Sequence, residues 1–263
     1  MDWRNLLEPL INQRGFHELF KPIKKIGKGN FASVYLVIKY EDKKKYAVKA
    51  FSKEGTYQEE NGKESLINEI EINRKLNHKN LMRLYGVYES QNSIYVQVEL
   101  LQGGQLYDKI QAKHKFTPTQ IKTVMKGLLE GLEYMHSKRI MHRDLKPENI
   151  ILREENDYDC VIADFGLATN ADEKEYLFVR CGTPGYVAPE IVNLKDLKAK
   201  YDPICDLFSA GVIFHMLALG KPPFPGSEYN EVLAQNRACK IDYTKEMYQR
   251  IPAEWLDLMR RLL

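Results

Sequence analysis

His142-Arg143-Asp144-Leu145-Lys146-Pro147-Glu148-Asn149, followed downstream by Asp164-Phe165-Gly166, is the stretch on which the reading of this sequence turns. A given tripeptide turns up in a chain of 263 residues with a chance of only a few per cent at frequencies of about 5% per residue, so Asp164-Phe165-Gly166 alone says little. Upstream lies Gly27-Lys28-Gly29-Asn30-Phe31-Ala32-Ser33-Val34, whose two glycines let backbone amides approach phosphate oxygens with no Cβ in the way. The same spacing opens dinucleotide-binding units, but there a helix follows, whereas Val34-Tyr35-Leu36-Val37-Ile38 reads as a strand. On these residues alone a plain hairpin turn that binds nothing stays open. Next comes Tyr46-Ala47-Val48-Lys49, a lysine among apolar strand residues, with Glu69 downstream on a predicted helix. A carboxylate that fixes its ammonium makes such a lysine a phosphate ligand. A lysine facing water from an edge strand is the commoner fate, and position alone leaves both open. Ala188-Pro189-Glu190 completes the set, and so many elements in this order and spacing are not coincidence.

Around these segments the chain changes character along its length. Between Phe20 and Leu101 short β-branched and aromatic runs recur, Val34 to Ile38, Tyr46 to Ala50 and Ile94 to Glu99, which predict a sheet. One helical pattern interrupts them from about Glu64 to Leu76, with Leu66, Ile67, Ile70 and Leu76 near one face. Lys43 to Lys45 reads as a solvated hairpin turn. From Gln102 onward helices dominate. Thr117-Pro118-Thr119-Gln120 is a capping box with proline at the first helical position, followed by Ile121, Val124, Met125, Leu128, Leu132 and Met135 at helical spacing. Leu207 to Leu219, broken by Ser209 and His215, predicts a buried helix and is shorter than the ~20 residues a bilayer requires. Pro252 opens a further helix with Trp255, Leu258, Met259 and Leu262 in phase. The chain stops at Leu263 while still periodic, so the domain is expected to continue past it. The shift at Gly103-Gly104 marks a hinge and makes the fold class α+β. A small β-rich lobe with its hinge covers 20–101 and a larger, mainly helical lobe covers 102–263, with a ligand site expected in the cleft between lobes. Residues 1–19 form a short N-terminal extension.

Bulk properties narrow the functional classes. With 44% apolar and 29% charged residues the chain is an ordinary globular protein that folds on packing alone. A net charge of +3 and the lack of any large Lys/Arg block speak against nucleic acid as a partner. Cys160, Cys181, Cys205 and Cys239 are widely spaced and form no CxxC pair, so neither a zinc site nor a disulfide framework is expected. An acidic residue at position 2 and no apolar core after it fit no signal peptide, and the expectation is a soluble, cytoplasmic protein without a membrane span.

Taken together, the motifs from Phe20 to Leu263 resemble the eukaryotic protein kinases of serine/threonine type. The resemblance implies a bilobal kinase fold and transfer of the γ-phosphate of Mg-ATP to Ser/Thr hydroxyls of protein substrates. It implies that the loop from Gly27 to Val34, with Ile26 beside it, covers the ATP phosphates, that Lys49 contacts the α- and β-phosphates, and that Glu69 pairs with Lys49. Asn149 and Asp164 would bind Mg2+. Asp144 would accept the substrate hydroxyl proton as catalytic base, and Lys146 would neutralise charge on the transferring group. Adenine would sit between Val34 and Ala47 on one side and Ile151 on the other, bonded to the backbone of Glu99 and Leu101, with Val98 as gatekeeper. Lys146 and Thr183, whose hydroxyl should bond Asp144 and Lys146, favour the serine/threonine type. The strings 103–108 and 181–190 look most like the calcium/calmodulin-dependent group, so a regulator such as calmodulin would act through a region past Leu263. Glu148 resembles the acid that selects a basic residue upstream of the target, while Gln105 stands where a second acid is common. A pseudokinase scaffold is the alternative reading, disfavoured because Lys49, Glu69, Asp144, Asn149 and Asp164 are all present.

The pattern also departs from the family. Ala32 replaces the third loop glycine, a change active kinases share. Asn73, one turn after Glu69, takes a place usually apolar and is expected to loosen the active arrangement. Glu190 is expected to pair with an arginine past the Trp255 helix. Between Asp164 and Glu190 the hydroxyls are Thr169, Tyr176, Thr183 and Tyr186, with none of Ser/Thr type in the usual central place. The expectation is that Asp172, Glu173 or Glu175 stands in for a phosphate at Arg143.

Overall fold

The computed structural model describes residues 10–29, 32–196 and 198–263. The chain divides into two compact units, the first ending at Gln102 and the second beginning at Gly103.

The first unit is built on a six-stranded sheet. Its strands are β1 (Asn12–Gln13), β2 (Phe20–Lys28), β3 (Ala32–Lys39), β4 (Lys45–Ser52), β5 (Leu84–Glu89) and β6 (Ser93–Val98), in the order β1-β5-β6-β4-β3-β2. All neighbours are antiparallel except β1, which runs parallel to β5. The runs of Val, Ile, Tyr and Phe that predicted strands form β3, β4 and β6, because such side chains suit a pleated surface. Lys43, at φ 60°, makes the turn between β3 and β4. The short helix α1 (Phe16–Leu19) precedes β2, and α2 (Lys53–Tyr57) and α3 (Gly62–Lys75) follow β4.

Period two along each strand gives the sheet two apolar faces. On one, Ala47, Phe51, Val87, Val96 and Val98 pack with Leu66 and Ile70 of α3. On the other, Phe16 and Phe20 cover Val37, Val48 and Tyr88. The extension that sequence reading left as a separate segment is thus core material from Phe16 onward. Helix α3 has its buried side at Leu66, Ile70, Ile72 and Asn73. Ile67, expected on that side, is 49% exposed instead, since one residue past Leu66 turns it about 100° around the axis. Asn73 is buried and its Oδ1 has no hydrogen-bond donor among the described residues. Replacing an unpaired buried amide with an apolar group of similar shape removes its desolvation cost. Asn73→Leu is therefore expected to raise unfolding free energy by about 1 kcal/mol, seen as a higher urea midpoint at unchanged m-value.

The second unit is centred on α5 (Pro118–Ser137), preceded by α4 (Leu106–Gln111). The capping box at its start forms as the sequence dictates: Thr117 N–H donates to Gln120 Oε1 at 2.9 Å and Gln120 N–H to Thr117 Oγ1 at 3.3 Å. Its predicted apolar face, from Ile121 to Met135, is buried. Two small hairpin-like pairs follow, β7 (Ile140–Met141) with β10 (Thr169–Asn170), and β8 (Ile150–Leu152) with β9 (Cys160–Ile162). After α6 (Pro189–Val192) comes α7 (Cys205–Leu219), apolar on nearly every side and buried accordingly. The helices α8 (Tyr229–Ala238), α9 (Glu246–Gln249) and α10 (Ala253–Leu262) complete the unit. Among the described residues no helix is long and apolar enough to cross a membrane, and the four cysteines are free.

Candidate active site

In the first unit the functional residues lie on the sheet face that packs on α3. Pairing sets Gly27 opposite Val34, Lys28 opposite Ser33, Val34 opposite Lys49, and Ala47 opposite Val98. Gly29 N–H donates to Ala32 O at 2.8 Å, which closes the glycine-rich turn; Asn30 and Phe31 at its tip lie outside the described residues. Ile26 is exposed at 42%, whereas Ala47 and Val98 are buried. Lys49 Nζ donates to Glu69 Oε1 at 2.7 Å, with side chains 22% and 14% exposed. A pair so shielded from water fixes the ammonium far better than a surface pair would. Glu99 is held at the sheet edge, its N–H on Arg83 O at 3.1 Å and its Oε1 accepting from Arg83 N–H at 3.0 Å; Leu101 follows, partly buried.

In the second unit the decisive feature is a triangle. Asp144 Oδ2 lies 2.8 Å from Lys146 Nζ, Thr183 Oγ1 donates to Asp144 Oδ1 at 2.6 Å, and Lys146 Nζ donates to Thr183 Oγ1 at 2.9 Å. Asn149 Nδ2 donates to Asp144 O at 2.8 Å, which orients the amide and leaves Oδ1 as its acceptor. The pairing of Ile150 with Ile162 carries Asn149 against Ala163, whose N–H bonds Asn149 O at 2.8 Å. Asp164, the next residue, is exposed and sits at φ 66°, a left-handed conformation that an L-residue adopts only when its surroundings hold it. Ile151 lies in β8, opposite Val161.

His142 and Phe165 hold these loops in register. His142 Nδ1 accepts from Asp144 N–H at 3.3 Å and Nε2 donates to Ala163 O at 3.1 Å, which fixes the tautomer. The buried Phe165 ring packs edge-on against His142 at 5.7 Å. Gly182, at φ 111°, passes so close to Arg143 O that a Cβ would come within 2.8 Å, so glycine is required beside the 142–149 loop.

Several residues that act here were not singled out from sequence. Asp206, 1% exposed, takes the N–H of His142 on Oδ2 and that of Arg143 on Oδ1, both at 2.8 Å, and meets His136 Nε2 at 2.9 Å. Burial alone would push its carboxyl up, but the hydrogen bond and charge of His136 and the N–H of His142 outweigh it and hold the group below its usual range. Arg143 is at φ 68°, so Asp206 is what pins a strained residue. The buried Asn236 accepts from Gly185 N–H at 3.0 Å and donates to Val187 O at 2.9 Å, fastening the segment before Ala188. The signal for Asp206 was a charged residue at the head of the most apolar helix; for Asn236 there was none.

One expectation is overturned. Arg143 does not meet Asp172, Glu173 or Glu175. Its Nε donates to Leu167 O at 2.7 Å, its Nη1 to Phe178 O and to Tyr201 OH at 2.9 Å, and its guanidinium lies over the Tyr176 ring at 5.3 Å. Asp172 pairs with Arg139 at 3.3 Å, and Glu173 and Glu175 are exposed. The reason is geometric. Tyr176 is buried and bonds Ala171 O at 3.0 Å, so the segment turns its phenol ring inward and its acids out. Glu190 is exposed, with no salt bridge to a cation among the described residues.

The donors fit a hard cation: Asp164 and Asn149 supply only oxygen, as magnesium prefers, and Asn149 has its amide nitrogen already committed. No cluster of three or more His, Cys, Asp or Glu side chains suited to a metal occurs among the described residues, so further ligands would be water or phosphate.

Comparison with known proteins agrees with this geometry. The protein kinase domain family matches residues 20–263. Calcium-dependent protein kinase 4 of Plasmodium falciparum is 36% identical over 250 residues, covering 94% of this chain and 46% of that protein. Myosin light chain kinase A of Dictyostelium discoideum is 35% identical over 242 residues, covering 90% of this chain and 79% of that protein. The chain spans about half the length, or less, of several relatives it matches. Matched by that family over nearly its whole length, and carrying the glycine-rich turn, the Lys49–Glu69 pair and the Asp144 triangle, the chain belongs to the protein kinase family.

Proposed function

We propose that this chain is an ATP-dependent protein kinase that phosphorylates Ser and Thr hydroxyls of other proteins, with Asp144 as the base. The observation that carries it is the Asp144–Lys146–Thr183 triangle. Asp144 is positioned to take a hydroxyl proton and aim its oxygen. Lys146 beside it supplies fixed positive charge where charge gathers on the moving phosphoryl group. Lys49, anchored by Glu69, holds phosphate oxygens, and the backbone amides of the 27–34 turn cover them. Val34 and Ala47 offer apolar contact to adenine, the Glu99 and Leu101 backbone its hydrogen bonds, and the small Val98 leaves space behind it. Bound Mg-ATP supplies the transferable group and, through its metal, neutralises charge on the phosphates. Because the transition state is loose, positioning and fixed charge carry the rate.

Arg143 is already engaged by neutral acceptors, which supports activity without phosphate on the 167–190 segment. Regulators would act through parts of a longer protein, in keeping with relatives named for calcium dependence.

The test is transfer of radiolabelled γ-phosphate from unphosphorylated protein to a mixed peptide library, followed by phosphoamino-acid analysis. Phosphoserine and phosphothreonine are expected. Phosphotyrosine, or nucleotide binding with no transfer under any condition, would overturn the reading, the latter in favour of a scaffold. Glu148 sharpens specificity. Its side chain is partly exposed, so an arginine or lysine of the substrate can pair with the carboxylate. Glu148→Gln is expected to lower kcat/KM about tenfold for peptides with a basic residue upstream of the target, and little for neutral ones. Equal loss on both peptide sets would remove the assignment.

A further inference from the structure

The residues ahead of the family-matched region are tied into the first unit at several points. Asn12 and Gln13 extend the sheet alongside Val87 and Tyr88. Phe16 stacks on Tyr95 with centroids 4.1 Å apart and lies 5.0 Å from Phe20, and His17 bonds Tyr95 OH at 3.1 Å. Asn12 itself bridges two charged side chains. Its Nδ2 donates to Glu89 Oε2 at 3.0 Å, and its Oδ1 accepts from Arg74 Nη2 at 2.8 Å. Both partners are braced in turn, Glu89 by Lys53 at 2.6 Å and Arg74 by Glu71 at 2.7 Å. The bonds from Lys53 and Asn12 hold the Glu89 carboxyl below its ordinary range. The Arg74 side chain is only 13% exposed, so its contacts are shielded from competing water.

Arg74 sits in the last turn of α3, the helix that carries Glu69. The same turn holds Asn73 and its oxygen, unpaired among the described residues, beside the buried Ile72 and Leu76. The charge-assisted bond from Arg74 to Asn12 adds to that packing a directional hold from outside the helix.

We propose that residues 10–19 are a built-in clamp on α3, with Asn12 and Arg74 as positioning residues that keep Glu69 against Lys49. This rests on the kinase reading of that pair. A displacement of α3 by an ångström lengthens the Lys49–Glu69 contact beyond hydrogen-bonding range and costs rate, though neither Asn12 nor Arg74 belongs to the site.

The test combines steady-state kinetics with amide hydrogen exchange on the unliganded chain. Asn12→Ala and Arg74→Ala both remove the charge-assisted Asn12–Arg74 bond, and each is expected to lower kcat about tenfold with peptide KM unchanged. Exchange should quicken in α3 and stay as it was in β3, β4 and α5. Asn12→Asp sets a carboxylate against Glu89 and should be worse than Asn12→Ala. Adding Glu89→Gln returns a donor to that carboxylate while keeping an acceptor for Lys53, and should restore both rate and exchange. Uniformly faster exchange across the unit, or a double variant no better than Asn12→Asp alone, overturns the clamp. Exchange is read without substrate, so a chain that transfers no phosphate yet shows this α3 pattern refutes the kinase reading and upholds the clamp.

Discussion

Asp144→Asn is expected to lower kcat by about a thousandfold while leaving the fold intact, within the range by which a positioned base accelerates proton transfer. The substitution keeps shape and one acceptor oxygen, so Thr183 can still donate its hydroxyl, and Asn149 still bonds the backbone carbonyl of residue 144. What disappears is the negative charge facing Lys146 at 2.8 Å and, with it, the proposed proton acceptor. A steady-state assay beside a thermal melt checks both halves: a kcat within tenfold of wild type would deny Asp144 its role, and a melting temperature lowered by many degrees would show that the variant reports on folding instead.

Asp206→Ala is expected to cost about 3–5 kcal/mol of stability, because three donors converge on this buried carboxylate and would be left unpaired, with Arg143 released from its strained conformation. Urea unfolding measures the loss. Activity should fall with it even where the variant remains folded, since the N–H groups of His142 and Arg143 fix the loop that presents Asp144. Asp206→Asn is the milder probe and carries the pH signature. A carboxyl held below its unfolded value, about 3.9 for Asp, contributes stability fully above that value and loses it as pH falls through the lower folded one. Below pH 4 the wild-type chain should therefore lose stability more steeply than Asp206→Asn. Parallel curves would show that Asp206 is not the group titrating.

Much of the molecule could be read before it was seen, and the failures share a cause. The helix after Thr117 was legible because its cap, its proline and its apolar face are local, and local signals survive in a linear string. The 142–149 loop was legible through residue identity, which placed the chain in its family. Ile67 was misplaced because a short stretch of α3 fits two faces equally well until the sheet chooses one. Asp206 reads locally as an acid favouring a helix start, an ordinary feature; only the return of residues 142 and 143 to the head of α7 makes it a keystone. The partners of Arg143 were beyond sequence reading, since peptide carbonyls leave no mark in composition. For the same reason Asn12 was invisible: its meaning lies in residues far along the chain, Arg74 and Glu89.

The setting of Arg143 has a consequence for how such a molecule keeps time. Arginine has five N–H donors, and three of the bonds made here go to two carbonyls and a phenol, with a ring beneath. Two of those acceptors are peptide carbonyls, which no kinase writes on and no phosphatase erases. A segment held by a phosphate remembers its last encounter and forgets it when a phosphatase arrives. On the reading proposed above this segment would need no such memory: its order would come with folding and last as long as the fold does.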